Sequence, residues 1–202
     1  MSQQAEHEEI KKKILTTGIR VGTEVKTKFM IPYITQANPE GLYLFDIDIT
    51  LNRIQTAARF IKKFDIKKVI VYSGRSYATT PIEKFCELTG AKMMLGRFMP
   101  GTLTNPSLSF YIEPQLIIIS DPRVDSQAIT EATNAGIPVI GIANTDNITS
   151  KLDLIIPANN RGRKSLATVY WLLAREILQD SKAIKYEIDD FETKTTDVEE
   201  EL

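Results

Sequence analysis

Residues 115–143 read QLIIISDPRVDSQAITEATNAGIPVIGIA and hold one strand, one helix and a second strand. Two near-continuous apolar runs, Gln115–Asp121 and Pro138–Ala143, have the composition of strands that are buried on both faces of a parallel sheet. Between them, residues 124–135 carry apolar side chains at helical spacing, and Gly136 stands where a helix C-terminal cap is expected. The segment therefore predicts a βαβ unit.

The same alternation continues on both sides of this unit. Further apolar runs typical of buried strands are Leu42–Asp46, Lys68–Ser73 and Asp153–Ile156. Further amphipathic segments cover residues 50–64, 77–89 and 164–179. Short connections between alternating strands and helices favour right-handed crossovers. The sequence predicts the α/β class, with a three-layer, doubly wound, mostly parallel sheet that has helices on both faces.

Two segments interrupt the alternation. Residues 18–33 contain Gly18, Gly22 and Pro32, and we expect an arm or an irregular sheet edge there. Ala91–Pro106 mixes glycine and proline with methionine and phenylalanine, so it predicts a fixed loop. A loop with this apolar surface is better suited to docking on a large partner than to catalysis.

Acidic and basic residues are unevenly distributed, although the net charge is only −1. Residues 186–202 hold eight acidic residues and one lysine, and residues 1–13 hold three of each sign. Subtracting both from the 26 acidic and 25 basic residues of the chain leaves 15 acidic and 21 basic residues, a balance of +6, between residues 14 and 185. A basic body indicates a polyanionic partner, and the alternative is an ordinary enzyme with a solubilising tail.

The length of 202 residues fits one domain. We expect a flexible N-terminal segment over residues 1–13, a single α/β domain over residues 14–185 and an acidic disordered tail over residues 186–202. Cys86, the only cysteine, has apolar neighbours and is expected in the core, without a disulfide. No apolar run approaches the roughly 18 residues of a membrane span, so a soluble, intracellular protein with no membrane partner is predicted.

Acidic and hydroxyl side chains follow three of the predicted strands. Asp46 with Asp48, then Ser73, then Asp121 resemble the motifs of haloacid-dehalogenase-type phosphatases, in which an aspartate attacks phosphorus and carboxylates hold Mg²⁺. That family normally carries glycine after the second aspartate, where Ile49 stands here, and its lysine has no clear counterpart. The phosphatase is therefore the alternative interpretation.

A structural explanation accounts for the same acidic residues. Asp48 or Thr50 can cap the helix that follows, and Asp121 with Pro122 can turn the chain into the next helix. His7 is the only histidine, and neither a dinucleotide-binding nor a P-loop glycine motif is present. We expect no catalytic residue, no metal site, no cofactor and no small-molecule substrate.

Basic residues collect in the irregular parts of the chain. Arg20, Lys26 and Lys28 lie in the arm, whereas Arg161, Arg163 and Lys164 open the last helix, where free backbone N–H groups add to the attraction for anions. We expect these six side chains to contact phosphate, and the alternative is a solvated basic face. Arg97, Thr102, Thr104 and Asn105 are expected to position the Ala91–Pro106 loop against RNA or a protein.

Six motifs, in this order, resemble the ribosomal protein S2 family, the second protein of the small ribosomal subunit. They are GTEVKTKFMIPYI at 22–34, GLYLFDIDIT at 41–50, GRFMPGTLTNP at 96–106, IIISDPR at 117–123, AGIPVIG at 135–141 and IPANNRGRKS at 156–165. The short connection after residue 106 resembles the archaeal and eukaryotic-cytosolic type, because bacterial members insert a helical hairpin there. Bacterial members also carry histidines where this chain has Gly18–Thr23, so contacts made there by imidazole cannot be transferred.

This resemblance implies a flavodoxin-like fold without catalytic activity. It implies a structural protein of the small ribosomal subunit in translation, with small-subunit rRNA and neighbouring ribosomal proteins as partners and the cytoplasm as its location. It also implies that Asp46 and Asp48 belong to a strand–helix junction that has no phosphatase activity.

Overall fold

The computed structural model describes residues 11–178 and 186–193. Its strands are β1 (Ile34–Ala37), β2 (Tyr43–Phe45), β3 (Val69–Ser73), β4 (Lys92–Leu95), β5 (Leu116–Ile119), β6 (Val139–Ala143) and β7 (Leu154–Pro157). Its α-helices are α1 (Ile47–Ile61), α2 (Thr79–Thr89), α3 (Ser126–Asn134) and α4 (Arg163–Leu178). Residues 11–16 are also helical. Short 3₁₀ turns cover Ile31–Tyr33, Ile66–Lys68, Ser76–Ala78 and Ile188–Phe191.

The main sheet has five parallel strands in the order β4, β3, β5, β6, β7. The chain runs from β3 to β4 on one side and then crosses to β5 on the other, so the strand order reverses between β3 and β5. This is the doubly wound, flavodoxin-like arrangement, and the predicted fold class is confirmed.

Alternate residues of each strand point to opposite faces of the sheet, and each face has its own core. Val71 and Ile118 belong to the core that the helices α1, α2 and α4 cover. Tyr72 and Ile119 belong to a second core, which is closed by α3 and by residues of the loop after β4. Both faces are therefore covered, as the near-continuous apolar strands require.

One predicted strand of the parallel sheet is placed differently in the structure. The apolar run Leu42–Asp46 forms β2, which pairs antiparallel with β1 in a separate two-stranded sheet. Asn38–Gly41 makes the connecting turn, in which Gly41 has φ +85° and its N–H donates to the Asn38 carbonyl at 2.9 Å. A hairpin turn of this kind returns the chain antiparallel beside itself, so β2 takes β1 as its partner and pairs with no strand of the parallel sheet.

The prediction of a loop throughout Ala91–Pro106 is wrong for its first residues. Lys92–Leu95 form the edge strand β4, which pairs with β3 alone. An edge strand is solvated on one side, so Lys92 and Met93 are exposed and the run lacks the continuous burial that would mark it as a strand. From Gly96 onward the segment is a loop as predicted, although its Phe98 is buried in the core.

The buried, unpaired cysteine that the sequence predicts is confirmed. Cys86 is a free, buried cysteine packed in the larger core, and burial raises the pKa of its thiol to about 12. Gly90 ends α2 in the left-handed conformation, with φ +82° and its N–H donating to the Cys86 carbonyl. A side chain at that φ would be strained, which is why glycine suits the position.

The prediction of a disordered tail from residue 186 is wrong for residues 186–193, which pack on the domain. Phe191 is 0% exposed within the core that α2 and α4 share, and Thr193 is buried. The indole N–H of Trp171 donates to the Tyr186 carbonyl at 2.9 Å, and the Thr193 hydroxyl donates to the Tyr77 carbonyl at 3.0 Å. The remainder of that predicted tail, residues 194–202, and residues 1–10 of the predicted N-terminal segment lie outside the described residues.

None of the helices in residues 11–178 and 186–193 combines the length and the apolar composition that crossing a lipid bilayer requires.

Candidate nucleic-acid interface

Asparagine side chains tie together the carboxyl ends of three neighbouring strands. Asn147, in the loop after β6, donates through Nδ2 to Asp121 after β5 at 3.2 Å. The same residue accepts through Oδ1 from Nδ2 of Asn160, after β7, at 3.1 Å. Asn160 donates in addition to the carbonyl of Ile142 at 3.1 Å. Because Asn147 and Asn160 are buried, these bonds fix the relative positions of the loops at this edge.

The arm of residues 18–33 is attached to that edge. The backbone N–H of Thr27 donates to the Thr145 carbonyl at 2.9 Å, and its hydroxyl donates to the Asn147 carbonyl at 2.9 Å. The N–H of Thr23 donates to the Thr145 hydroxyl at 2.9 Å, and the N–H of Asn159 donates to the Ile19 carbonyl at 2.9 Å. The arm therefore lies against the loops that follow β6 and β7.

Gly22 allows this close approach. A Cβ atom at this position would lie 2.8 Å from the Tyr43 carbonyl oxygen and 2.4 Å from Cγ2 of Thr145. Any side chain here would push the arm away from β2 and from the loop after β6, because the Tyr43 contact is with backbone.

The first predicted basic cluster lies on this attached arm. Lys26 and Lys28 are exposed, and the Lys26 ammonium stands 4.6 Å above the ring centre of Tyr43. Arg20 is half-buried, and its Nε has no hydrogen-bond partner among the described residues. The two lysines are thus free to meet a ligand, whereas Arg20 is partly enclosed.

The second predicted cluster surrounds the start of α4. Arg161 forms an ion pair with Asp146, whose carboxylate also lies 3.5 Å from Arg123. The Arg163 guanidinium stands 5.8 Å from the ring centre of Tyr77, and Lys164 is exposed. Asp146 therefore neutralises part of the charge of Arg161, and Lys164 has no such acidic partner among the described residues.

The structure places these two clusters at the same edge of the sheet. Asp146, which holds Arg161, directly follows Thr145, which holds the arm. We refer to the six residues together as the arm–α4 surface: Arg20, Lys26, Lys28, Arg161, Arg163 and Lys164.

The predicted docking loop is fixed at a different place. Gly101 and Leu103 donate their backbone N–H groups to the carboxylate of Glu131 on α3 at 2.8 and 3.2 Å. Phe98 and Leu103 of the loop pack in the core on the α3 face of the sheet, whereas α4 covers the opposite face. The loop is therefore separate from the arm–α4 surface.

Three of the four predicted loop residues can reach a partner. Arg97, Thr104 and Asn105 are exposed. Thr102 is only 3% exposed, and its hydroxyl donates to the Met99 carbonyl at 2.6 Å. Thr102 holds the loop together and does not face solvent.

Sequence reasoning missed Glu131, the residue that fixes this loop. A glutamate within an amphipathic helix normally lies on the solvated face, but Glu131 is 5% exposed. Nothing in the sequence around it distinguishes it from a surface glutamate. Its role depends on two amides of the loop, about thirty residues away in the chain.

The crevice where such folds bind ligands lies between β3 and β5, and this chain fills it with its own side chains. Asp125 accepts from the backbone N–H of Gly74 at 2.8 Å and of Asp121 at 3.2 Å. Asp121 is 1% exposed and forms an ion pair with Arg75. Carboxylates thus occupy the positions that a bound anion would take, which argues against an anionic ligand here.

The pKa of Asp125 is raised from 3.8 to about 7, chiefly by burial. The nearby charge of Asp121 also raises it, whereas the Gly74 and Asp121 amides and the charge of Arg75 lower it. Since the unfolded state ionises near pH 4, its carboxyl binds fewer protons than the folded state between about pH 4 and 7. Folding stability contributed by this group is therefore present at low pH and lost as the pH rises.

We expect wild type to lose up to about 4 kcal/mol more stability than Asp125→Asn between about pH 4 and 7. Urea denaturation across this range measures the difference. Near pH 4 the variant has an N–H₂ group where the protonated carboxyl has a second oxygen, so one of the two backbone N–H groups loses its acceptor and the variant starts less stable. The two curves should converge as the pH rises. Parallel curves contradict the assignment of the pH dependence to Asp125.

The phosphatase interpretation is not supported. Asp46, which would be the nucleophile, caps α1 by accepting from the N–H groups of Asp48 at 2.9 Å and Ile49 at 3.2 Å. It follows β2, and Thr50 in the same first turn of α1 donates to the Pro157 carbonyl at the end of β7 at 2.8 Å. β7 is two strands away from β5, so Asp46 is apart from Ser73 and Asp121, which end β3 and follow β5. The helix cap is thus Asp46 and not Asp48 or Thr50, and within the described residues no three His, Cys, Asp or Glu side chains form a metal-binding group.

Comparison with known proteins identifies the family. The family model described as ribosomal protein S2 matches residues 108–180. The chain is 71% identical to a protein of Nitrosopumilus maritimus over 98% of its own length and 99% of that protein. It is 56% identical to a protein of Cenarchaeum symbiosum over 95% of both chains. It is 54% identical to a protein of Thermofilum pendens over 82% of its own length and 77% of that protein.

All three relatives are named small ribosomal subunit protein uS2, and all three come from archaea, in agreement with the predicted type. An identity of 71% over nearly the whole chain, with the predicted fold in place, leaves no other assignment. The chain belongs to the ribosomal protein S2 family.

Proposed function

We propose that the chain is a structural constituent of the cytoplasmic small ribosomal subunit, and that the arm–α4 surface binds the phosphates of small-subunit rRNA. Its family is a ribosomal protein family and not a family of enzymes. The role in translation is to hold rRNA and neighbouring ribosomal proteins in place, with no cofactor and no substrate.

The attachment of the arm to the loop after β6 carries this proposal. Thr23 and Thr27 bind Thr145 and Asn147, and this contact sets the arm lysines at the edge where α4 begins. Two basic segments that are more than a hundred residues apart in the chain thereby form one surface. A rigid surface of lysines and arginines suits a phosphate backbone, whose position it can fix without reading the bases.

The loop after β4 is a second contact, which we propose docks on rRNA or on a neighbouring ribosomal protein through Arg97, Thr104 and Asn105. Met99 and Phe110 in the same loop are 52% and 40% exposed. Exposed apolar side chains favour a protein over RNA as the partner here.

We expect the triple variant Arg161→Ala, Arg163→Ala and Lys164→Ala to bind small-subunit rRNA more weakly and with less salt dependence than wild type. Each lost phosphate contact lowers the slope of log affinity against log salt by about 0.7–0.9. Because Asp146 already neutralises part of the charge of Arg161, the loss should be smaller than that of three full contacts. We expect the slope to fall by about 2. Filter binding over a range of salt concentrations measures both quantities.

The matched control replaces Lys63, Lys67 and Lys68 by alanine. These lysines are exposed and precede β3, so they lie near the amino end of the sheet, opposite the arm–α4 surface. The control removes the same charge and should leave the slope within about one contact of wild type. Equal losses in both variants would show that only net charge matters and would refute the proposed surface.

A further inference from the structure

Phe29 is an exposed aromatic residue of the arm, and in the sequence it stands between the exposed Lys28 and the buried Met30. Its ring is 51% exposed, although phenylalanine is usually buried. Lys28 precedes it directly and Lys26 lies three residues before it, and both are exposed. Between residues 18 and 31 there are three basic residues and one acidic residue, Glu24. The loop after β4, over residues 96–115, has Arg97 as its one basic residue, so the excess of basic residues distinguishes the arm from that loop and favours a polyanion as the partner of the arm.

The backbone on both sides of the ring is fixed. Thr27 makes its two bonds to the loop after β6, and the N–H of Met30 donates to the Thr27 carbonyl at 3.1 Å. The Met30 side chain is 0% exposed and packs with Phe45 and Ala143. The N–H of Tyr33 donates in turn to the Met30 carbonyl at 3.0 Å. A ring presented on such a turn loses little conformational freedom when a ligand covers it.

We propose that Phe29 is a stacking platform for an unpaired base of rRNA, with Lys28 and Lys26 holding the adjoining phosphates. This proposal rests on the function proposed above and adds to it which form of RNA the surface takes. A duplex offers phosphates but keeps its base faces stacked, whereas a loop or bulge offers both a phosphate and a free base face. Stacking on an aromatic ring suits every base, so the platform selects unpaired RNA without selecting a sequence.

The arm also provides the controls for this idea. Ile31 is 50% exposed, close to the value for Phe29, but its side chain has no aromatic face. Phe29→Leu keeps an apolar side chain and removes the ring, and Phe29→Tyr keeps the ring. The comparison separates stacking from general apolar contact.

The test uses the full chain with two probes, a short oligouridylate and an RNA duplex of the same strand length, by fluorescence anisotropy at one salt concentration. We expect Phe29→Ala and Phe29→Leu to lower the affinity for oligouridylate by roughly 5- to 150-fold, the range of one base stacked on an aromatic ring. Phe29→Tyr and Ile31→Ala should stay within about twofold of wild type, and no variant should change duplex binding by more than that. Unchanged melting temperatures confirm that every variant is folded.

A second measurement detects stacking directly. In Phe29→Trp the new indole should be quenched by oligouridylate and not by the duplex, after subtraction of the signal of Trp171, the only native tryptophan. Quenching by oligouridylate supports the platform even where the affinity change is small.

The outcomes are distinct. In the first outcome, wild type binds both RNAs, Phe29→Leu binds oligouridylate as tightly as wild type, and the tryptophan of Phe29→Trp is not quenched. This outcome overturns the platform and leaves the proposed function standing. Wild type that binds neither RNA overturns the proposed function and the platform with it. Unchanged RNA affinity in Phe29→Leu combined with failure to join small subunits shows that the ring meets a protein, which also overturns the platform.

Discussion

Replacing Phe191 by alanine is expected to lower the free energy of unfolding by about 3–5 kcal/mol, the usual cost of emptying a fully buried aromatic site. Phe191 is 0% exposed and belongs to the core between α2 and α4. For a domain of this size the change corresponds to a fall of about 6–20 °C in the melting temperature. Differential scanning calorimetry or thermal circular dichroism measures it.

The matched control is Phe110→Ala, the same substitution at a ring that is 40% exposed in the loop after β4. It should cost about 1 kcal/mol or less, because a half-exposed ring leaves no closed cavity. Two truncations locate the effect along the chain. Ending the chain after Lys185 should destabilise it at least as much as Phe191→Ala, and ending it after Thr193 should change little, since residues 194–202 have few apolar side chains.

A chain ending after Lys185 that melts with wild type would show that residues 186–193 add nothing to the fold. The contacts of Trp171 with Tyr186 and of Thr193 with Tyr77 argue for the opposite result. These bonds tie the segment to α4 and to the turn before α2, so its loss exposes both.

The packing of residues 186–193 could not be predicted from the sequence, because composition describes the average of a segment and not the burial of single residues. Eight acidic residues among seventeen indicate a solvated tail, and they outweigh one phenylalanine in any interpretation based on composition. Burial is decided residue by residue. Glu187, Asp189 and Asp190 stay exposed on one side of the 3₁₀ turn, while Phe191 enters the core from the other side.

The central strands could be predicted, because burial on both faces of a sheet demands the continuous apolar runs that Val69–Ser73 and Leu116–Ile119 show. β2 has the same kind of run, and an apolar run alone does not distinguish a parallel from an antiparallel neighbour. The antiparallel pairing of β2 is set by the turn at Asn38–Gly41, which makes β1 and β2 a hairpin. β4 was missed for the converse reason, since an edge strand need not be apolar on both faces.

The two basic clusters of the proposed interface could be recognised in the sequence one by one, but their position at the same edge of the sheet could not be predicted. The bonds from Thr23 and Thr27 to Thr145 and Asn147 join residues about 120 positions apart. Threonine and asparagine at such positions look like ordinary loop residues. Only the packing of the arm, for which Gly22 provides the room, shows that two clusters make one surface.

The second large effect is expected at Arg75, where alanine should cost about 3–5 kcal/mol because it leaves the buried charge of Asp121 without its partner. Asp121 is 1% exposed, and Nε of Arg75 donates to Oδ2 at 2.7 Å. The matched control is Arg123→Ala. Arg123 is 72% exposed and lies 3.5 Å from Asp146, so its loss should cost about 1 kcal/mol or less. Urea denaturation near neutral pH measures both.

A double variant tests the cause. In the wild type, Oδ1 of Asp121 accepts from the backbone N–H of Arg123 at 2.9 Å and from Nδ2 of Asn147 at 3.2 Å. Asp121→Asn removes the charge but keeps an oxygen that can accept both bonds. If the cost of Arg75→Ala arises from an unpaired buried charge, adding Asp121→Asn should restore stability, so the double variant should be more stable than Arg75→Ala alone. A double variant less stable than the single one would show that Arg75 stabilises the fold through its packing and not by pairing with the buried charge of Asp121.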